Sequence, residues 1–195
     1  GLLELYWATG ELRWLEEAHR LARLAVELFL DRANGGFFVD AGGDGLVARR
    51  KELDDHPTPS GNSMMAFDLL RLARIYGDAE LERHAVGVFR IARPLVERAP
   101  GAVGHLLCAL DLHFSPPREV AVVGDGELRR AALEGFYPNT VYAFAAGADD
   151  PALERVPLLH GKAPVDGRAA AYVCESFACR APVTSVDELR TELER

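Results

Sequence analysis

The chain runs to 195 residues, 49 % of them hydrophobic and 27 % charged, which supplies a core for one large domain or two small ones. That composition excludes a disordered chain, a collagen-like repeat and a disulfide-dense mini-protein. With 22 basic against 30 acidic residues the net charge is −8, a poor match for nucleic-acid phosphates or anionic lipid, so neither is expected as a partner.

No stretch approaches the roughly 18 consecutive apolar residues of a membrane span. The opening Gly1-Leu2-Leu3-Glu4-Leu5-Tyr6 lacks the basic and apolar regions of a secretory signal. The three cysteines cannot all pair within one chain, so a disulfide framework is not expected and a cytoplasmic location is.

In chain order, residues 11–32 carry Leu15, Ala18, Ala22, Ala25 and Phe29 at helical spacing, and Asn34-Gly35-Gly36 stops that helix. Residues 37–39 read as a short extended run, 41–45 as a turn, and 45–59 as a long polar loop. Ser60 is the expected N-cap of the next helix, whose buried face is marked by Met65, Leu69, Leu72 and Tyr76. Gly77-Asp78 makes a corner, with Asp78 capping a helix through Leu81, Ala85, Val88, Ala92 and Val96. Pro94 is expected to kink or shorten it, Pro100-Gly101 ends it, and residues 103–114 form another helix. Helices joined by short corners read as αα-hairpins.

After Ser115-Pro116-Pro117 the pattern changes. Residues 119–124 form a β-branched run expected as a buried strand, and Asp125 is expected to cap a helix reaching residue 133. Strands at 141–145 and 169–174 follow, then a helix over 185–194 with Ser185 as cap and Glu188 in capping-box position. Two subdomains are therefore expected, helical hairpins over 1–114 and a small α/β unit over 115–195.

The segment richest in chemistry is 49–63, which holds Arg49, Arg50, Lys51, Glu52, Asp54, Asp55, His56, Ser60 and Asn62. Neighbouring carboxylates can split their pKa values, as acid/base work on a sugar requires, and the helix start at Ser60 offers free N–H donors. The plainer reading is a solvated loop in which Asp54 and Asp55 pair with nearby arginines.

Cys174 and Cys179 are separated by four residues, which is neither a zinc-knuckle nor a thioredoxin-like spacing, and they read as two buried thiols or one reversible disulfide. Cys108 reads as core, and no metal site or cofactor is expected. Val123-Gly124-Asp125-Gly126 reads as an ordinary strand-to-helix turn, since it lacks the full glycine pattern of a phosphate loop.

Lys51-Glu52, Asp55 and Pro59-Ser60-Gly61-Asn62-Ser63 together resemble a signature of the thioredoxin-domain-containing proteins related to spermatogenesis-associated protein 20. The likeness extends to Gly35-Gly36-Phe37-Phe38, to residues 68–73, to Tyr137-Pro138-Asn139, and to Cys174 with Cys179-Arg180-Ala181-Pro182-Val183. It implies a mainly α fold in which the hairpins form part of an (α/α) toroid of the six-hairpin glycosidase type, without the family's thioredoxin-like domain. It also implies a sugar-like ligand held by the 49–63 loop. Glu52 and Asp55 are then the candidate acid/base carboxylates, with Lys51, Ser60 and Asn62 as ligand-binding residues. The alternative implied is a non-catalytic module that docks on a thioredoxin-like domain or on another copy of itself.

Overall fold

A computed structural model describes residues 1–43, 48–124 and 126–195. Asp125 as a helix cap and part of the turn expected at 41–45 lie outside the described residues.

Eight α-helices and four strands are present among the described residues, in the order α1 (Leu2–Thr9), α2 (Leu12–Phe29), α3 (Gly61–Tyr76), α4 (Ala79–Arg98), α5 (Gly104–Phe114), β1 (Arg118–Val123), α6 (Gly126–Glu134), β2 (Thr140–Ala145), α7 (Ala152–Arg155), β3 (Ala170–Glu175), β4 (Ala178–Cys179) and α8 (Val186–Leu193). The chain divides into two compact units, one made of residues 1–16, 74–77 and 115–195, the other of residues 17–73 and 78–114.

The first unit is built on a mixed sheet with strand order β2-β1-β3-β4. β1 runs parallel to β2, from Arg118 opposite Thr140 to Val123 opposite Ala145, and the connection passes through α6. β3 is antiparallel to β1, with Glu119 opposite Cys174. Apolar runs such as Val120-Ala121-Val122-Val123 suit strands covered on both faces, and every residue of β2 is buried.

No element is expected for residues 1–10, yet α1 forms there. It ends at Gly10, whose left-handed backbone (φ 75°) returns its N–H to Tyr6 O at 2.7 Å. The Tyr6 ring lies 5.8 Å from that of Phe144, its hydroxyl accepts the Phe144 N–H at 2.8 Å, and Trp7 donates to Tyr142 O at 3.2 Å.

The second unit is helical. α4 buries Leu81, Ala85, Val88, Phe89 and Ala92 along one face, and Asp78 caps it by accepting the Glu80 and Leu81 N–H groups. Pro94 does not end α4, which runs on to Arg98. Pro94 and Arg90 both lie on the exposed side, so the Arg90 carbonyl that loses its helical donor faces water. Cys108, expected in the core, is exposed on α5.

The expected six-hairpin toroid is not found. A toroid requires helices that pack on helices in sequence, whereas α1 places its buried face on β2 and four strands interrupt the helical order. The fold is a small α/β unit together with a helical unit. Among the described residues no helix is long and apolar enough to cross a membrane.

Candidate functional site

The loop singled out by sequence lies in the helical unit, and its side chains are engaged mainly with the protein itself. After α2 the chain turns tightly, with Asp31 N–H bonded to Gly36 O and Gly35 N–H to Asp31 O. Gly35 and Gly36 both have positive φ (82° and 72°), a conformation that side chains rarely adopt. A Cβ on Gly35 would stand 3.0 Å from the Gly87 carbonyl of α4, so the turn lies directly on that helix.

Lys51 locks this turn from the loop side. Its Nζ donates to Asp31 Oδ2 at 2.7 Å and to Gly35 O at 2.6 Å. The Lys51 bond, with further donation from Asn34, holds the Asp31 carboxyl well below the usual carboxylate range.

Asn62, 2 % exposed, ties three segments together. Its Oδ1 accepts the Phe37 N–H at 2.7 Å, and its Nδ2 donates to Phe37 O at 2.9 Å and to Glu52 O at 2.8 Å. Both amide hydrogens and one oxygen lone pair are thus taken by backbone.

Asp55 is turned toward two helix starts. It accepts the Ser60 N–H at 2.8 Å ahead of α3 and the His105 N–H at 2.8 Å in the first turn of α5. Burial pushes its pKa up, but the hydrogen bonds from Ser60, Ser63 and His105 outweigh that, and the net shift is downward. Ser60 Oγ accepts the Ser63 N–H at 3.1 Å, the bond of an N-cap.

Glu52 differs from these, with its carboxylate 2.9 Å from Arg50 and partly exposed. It lines a cleft of about 430 Å³ together with Ala25, Phe29, Phe37, Phe38 and Met65. Asn62 lines it too, but with its hydrogen bonds already made. The cleft is therefore an apolar trough with Glu52 as its one charged lining residue. On α2, Leu21, Leu24 and Leu28 recur at helical spacing and are 41 %, 37 % and 41 % exposed. Asp31, the partner of Lys51, was not among the residues expected from sequence. The Asn34-Gly35-Gly36 turn beside it was the available signal.

The sheet-containing unit holds a second group of residues. Cys174 and Cys179 are joined in a disulfide. They line a cavity of about 720 Å³ together with Arg118, Tyr137, Asn139 and Arg180. Glu119, 1 % exposed, accepts the Phe177 N–H at 3.0 Å, and burial pushes its pKa up despite that bond. Burial pushes the nearby Lys162 down. Glu119 carries no sequence signal beyond being a charge at the start of an apolar run. Among the described residues no group of three or more His, Cys, Asp or Glu could hold a metal ion.

No family model matches the chain. Spermatogenesis-associated protein 20 of Homo sapiens is 33 % identical over 199 residues, which cover 97 % of this chain and 25 % of that protein. The protein of the same name in Rattus norvegicus is 32 % identical over 204 residues, covering all of this chain and 26 % of its own length. An uncharacterised protein of Caenorhabditis elegans is 27 % identical over 196 residues. The chain spans about a quarter of the length of these curated relatives. Across nearly its whole length, this chain is homologous to a segment of spermatogenesis-associated protein 20.

Proposed function

We propose that the chain is a non-catalytic interaction module whose helical unit docks an apolar segment from the rest of a polypeptide as long as its relatives. One observation carries the reading: the 49–63 loop shapes an apolar cleft while its polar side chains bond to the fold. Lys51, Asp55, Ser60 and Asn62 are each bonded within the unit. A sugar is recognised through many convergent hydroxyl contacts, and here only Glu52 among the five candidates turns its carboxylate to solvent and Arg50.

The occupant is argued from length and surface. The relatives are about four times as long as this chain, and Ala25 and Phe29 of the cleft share α2 with the exposed Leu21, Leu24 and Leu28. An apolar face of this kind is stabilised by a covering layer. The docked segment would lie along the α2 leucines and place a side chain among Phe29, Phe37 and Phe38.

The test compares two lengths of polypeptide. Leu24→Asp with Leu28→Asp should lower the melting temperature of the 195-residue chain only a little, because each side chain is already more than a third exposed. In a polypeptide of the relatives' length the same pair should cost about 2–4 kcal/mol, the scale of losing two buried leucines in part. Equal and negligible effects in both lengths would remove the docking reading. Saturable binding of a monosaccharide that is abolished by Glu52→Gln would favour the sugar reading instead.

A further inference from the structure

We infer that Cys174 and Cys179 form a thiol–disulfide exchange site whose substrate is a dithiol. The inference concerns the sheet-containing unit and stands apart from the docking reading. β4 is the outer strand of the sheet and pairs with β3 through two residue pairs, Cys174 opposite Cys179 and Glu175 opposite Ala178. Cys179 is exposed and Cys174 is buried, so one sulfur is presented at the sheet edge and the other is backed by the core. Both line the cavity of about 720 Å³ that Arg118, Tyr137 and Arg180 also line. The cavity gives a small dithiol room to reach the Cys179 sulfur.

Two further features separate an exchange site from a structural staple. The bond closes a loop with a sequence separation of only 5, and short loops gain least from cross-linking. The turn it spans is held by something other than sulfur. Ser176 and Phe177 both have positive φ (50° and 66°) without being glycine, and the Phe177 N–H is fixed by the buried Glu119 carboxylate. Because Glu119 fixes the turn, the two thiols released by reduction stay opposite each other and can close again.

The exchange proceeds in two steps. A thiolate of the dithiol attacks Cys179 Sγ, the Sγ–Sγ bond breaks, and the electron pair leaves on Cys174 Sγ, which takes a proton from solvent. The second thiolate of the dithiol then attacks its own sulfur in the mixed disulfide, closing a cyclic disulfide and releasing the Cys179 thiolate to be protonated. Two electrons pass from the dithiol to the cystine.

Thiol counting in native buffer tests this, with the free and exposed Cys108 as a one-thiol baseline. The count should be one before reductant, three after dithiothreitol, and one again after oxidised dithiothreitol, with the melting curve remaining cooperative throughout. Glu119→Ala should slow reclosure at least tenfold. Glu119→Gln, which keeps an oxygen for the Phe177 N–H, should restore it. A count that stays at one until denaturant is added would overturn the inference. So would a count of three before any reductant, or reclosure in Glu119→Ala at the unaltered rate.

Discussion

Lys51 Nζ stands 2.7 Å from Asp31 Oδ2, which fastens the loop before α3 to the turn that ends α2. Both side chains are largely shielded from solvent, so this pair is placed to fix the backbone. Lys51→Met should lower the melting temperature at pH 7. The Asp31 pKa is depressed in the folded chain, so its contribution is complete above the ordinary carboxylate pKa of about 4 and drains away as pH falls through the lower folded value. The deficit of Lys51→Met should therefore shrink between pH 5 and pH 2, which thermal melts across that range would record. Asp55, also depressed, adds to the acid sensitivity of the parent chain in the same direction.

Asn62 makes three bonds to backbone from a buried position. Removing its amide leaves the Phe37 N–H and two carbonyls short of partners. Asn62→Ala should cost about 3 kcal/mol, since each unsatisfied buried group costs roughly 1–3 kcal/mol and the segments can relax in part. Urea unfolding monitored by circular dichroism would give the value. A cost below about 1 kcal/mol would mean that Asn62 is not a structural clamp.

Gly35 sits in a left-handed conformation against the backbone of Gly87. Gly35→Ala introduces a Cβ 3.0 Å from a carbonyl oxygen that cannot swing away, so a loss of about 2 kcal/mol is expected. Gly101 has nothing within 4 Å of an added Cβ, and Gly101→Ala serves as the control with little change.

The raised pKa of Glu119 carries the opposite sign to that of Asp31. Its folded state favours the protonated form, so the stability it supports is present below the unfolded pKa and is lost as pH rises through the raised folded value. Glu119→Gln keeps an acceptor for the Phe177 N–H and removes the charge. It should flatten that part of the pH profile and raise the melting temperature at pH 7 by a few degrees, the scale of about 1 kcal/mol.

Local features were legible in the sequence because their causes are local. Asp78 and Ser185 cap α4 and α8 as their positions suggest, and Ser185 accepts the Glu188 N–H. The runs around Val120 and Val141 form strands because β-branched continuity needs no distant partner to be recognised. What sequence did not reveal depends on pairing across long separations. Tyr6 and Phe144 are 138 residues apart, and nothing near Tyr6 says that its ring meets a strand. That contact belongs to the sheet-containing unit, which takes in residues 1–16.

The 49–63 loop shows the same division more sharply. Its density of charge and amide was visible, but the residues alone read more plainly as a solvated loop, and the ligand roles came from the family resemblance. The bonds of Lys51 to Asp31 and of Asp55 to the His105 N–H span 20 and 50 residues and direct those groups into the fold. A polar cluster and a scaffold cluster look alike until their partners are known.

In the proposed docking, the α2 leucines and the cleft become a covered surface in a polypeptide of the relatives' length. The most direct measurement is maleimide labelling of Leu28→Cys in a Cys108→Ser background, compared in the 195-residue chain and in a polypeptide of the relatives' length. Labelling should be at least tenfold slower in the longer polypeptide. Equal rates in the two would contradict the proposed docking.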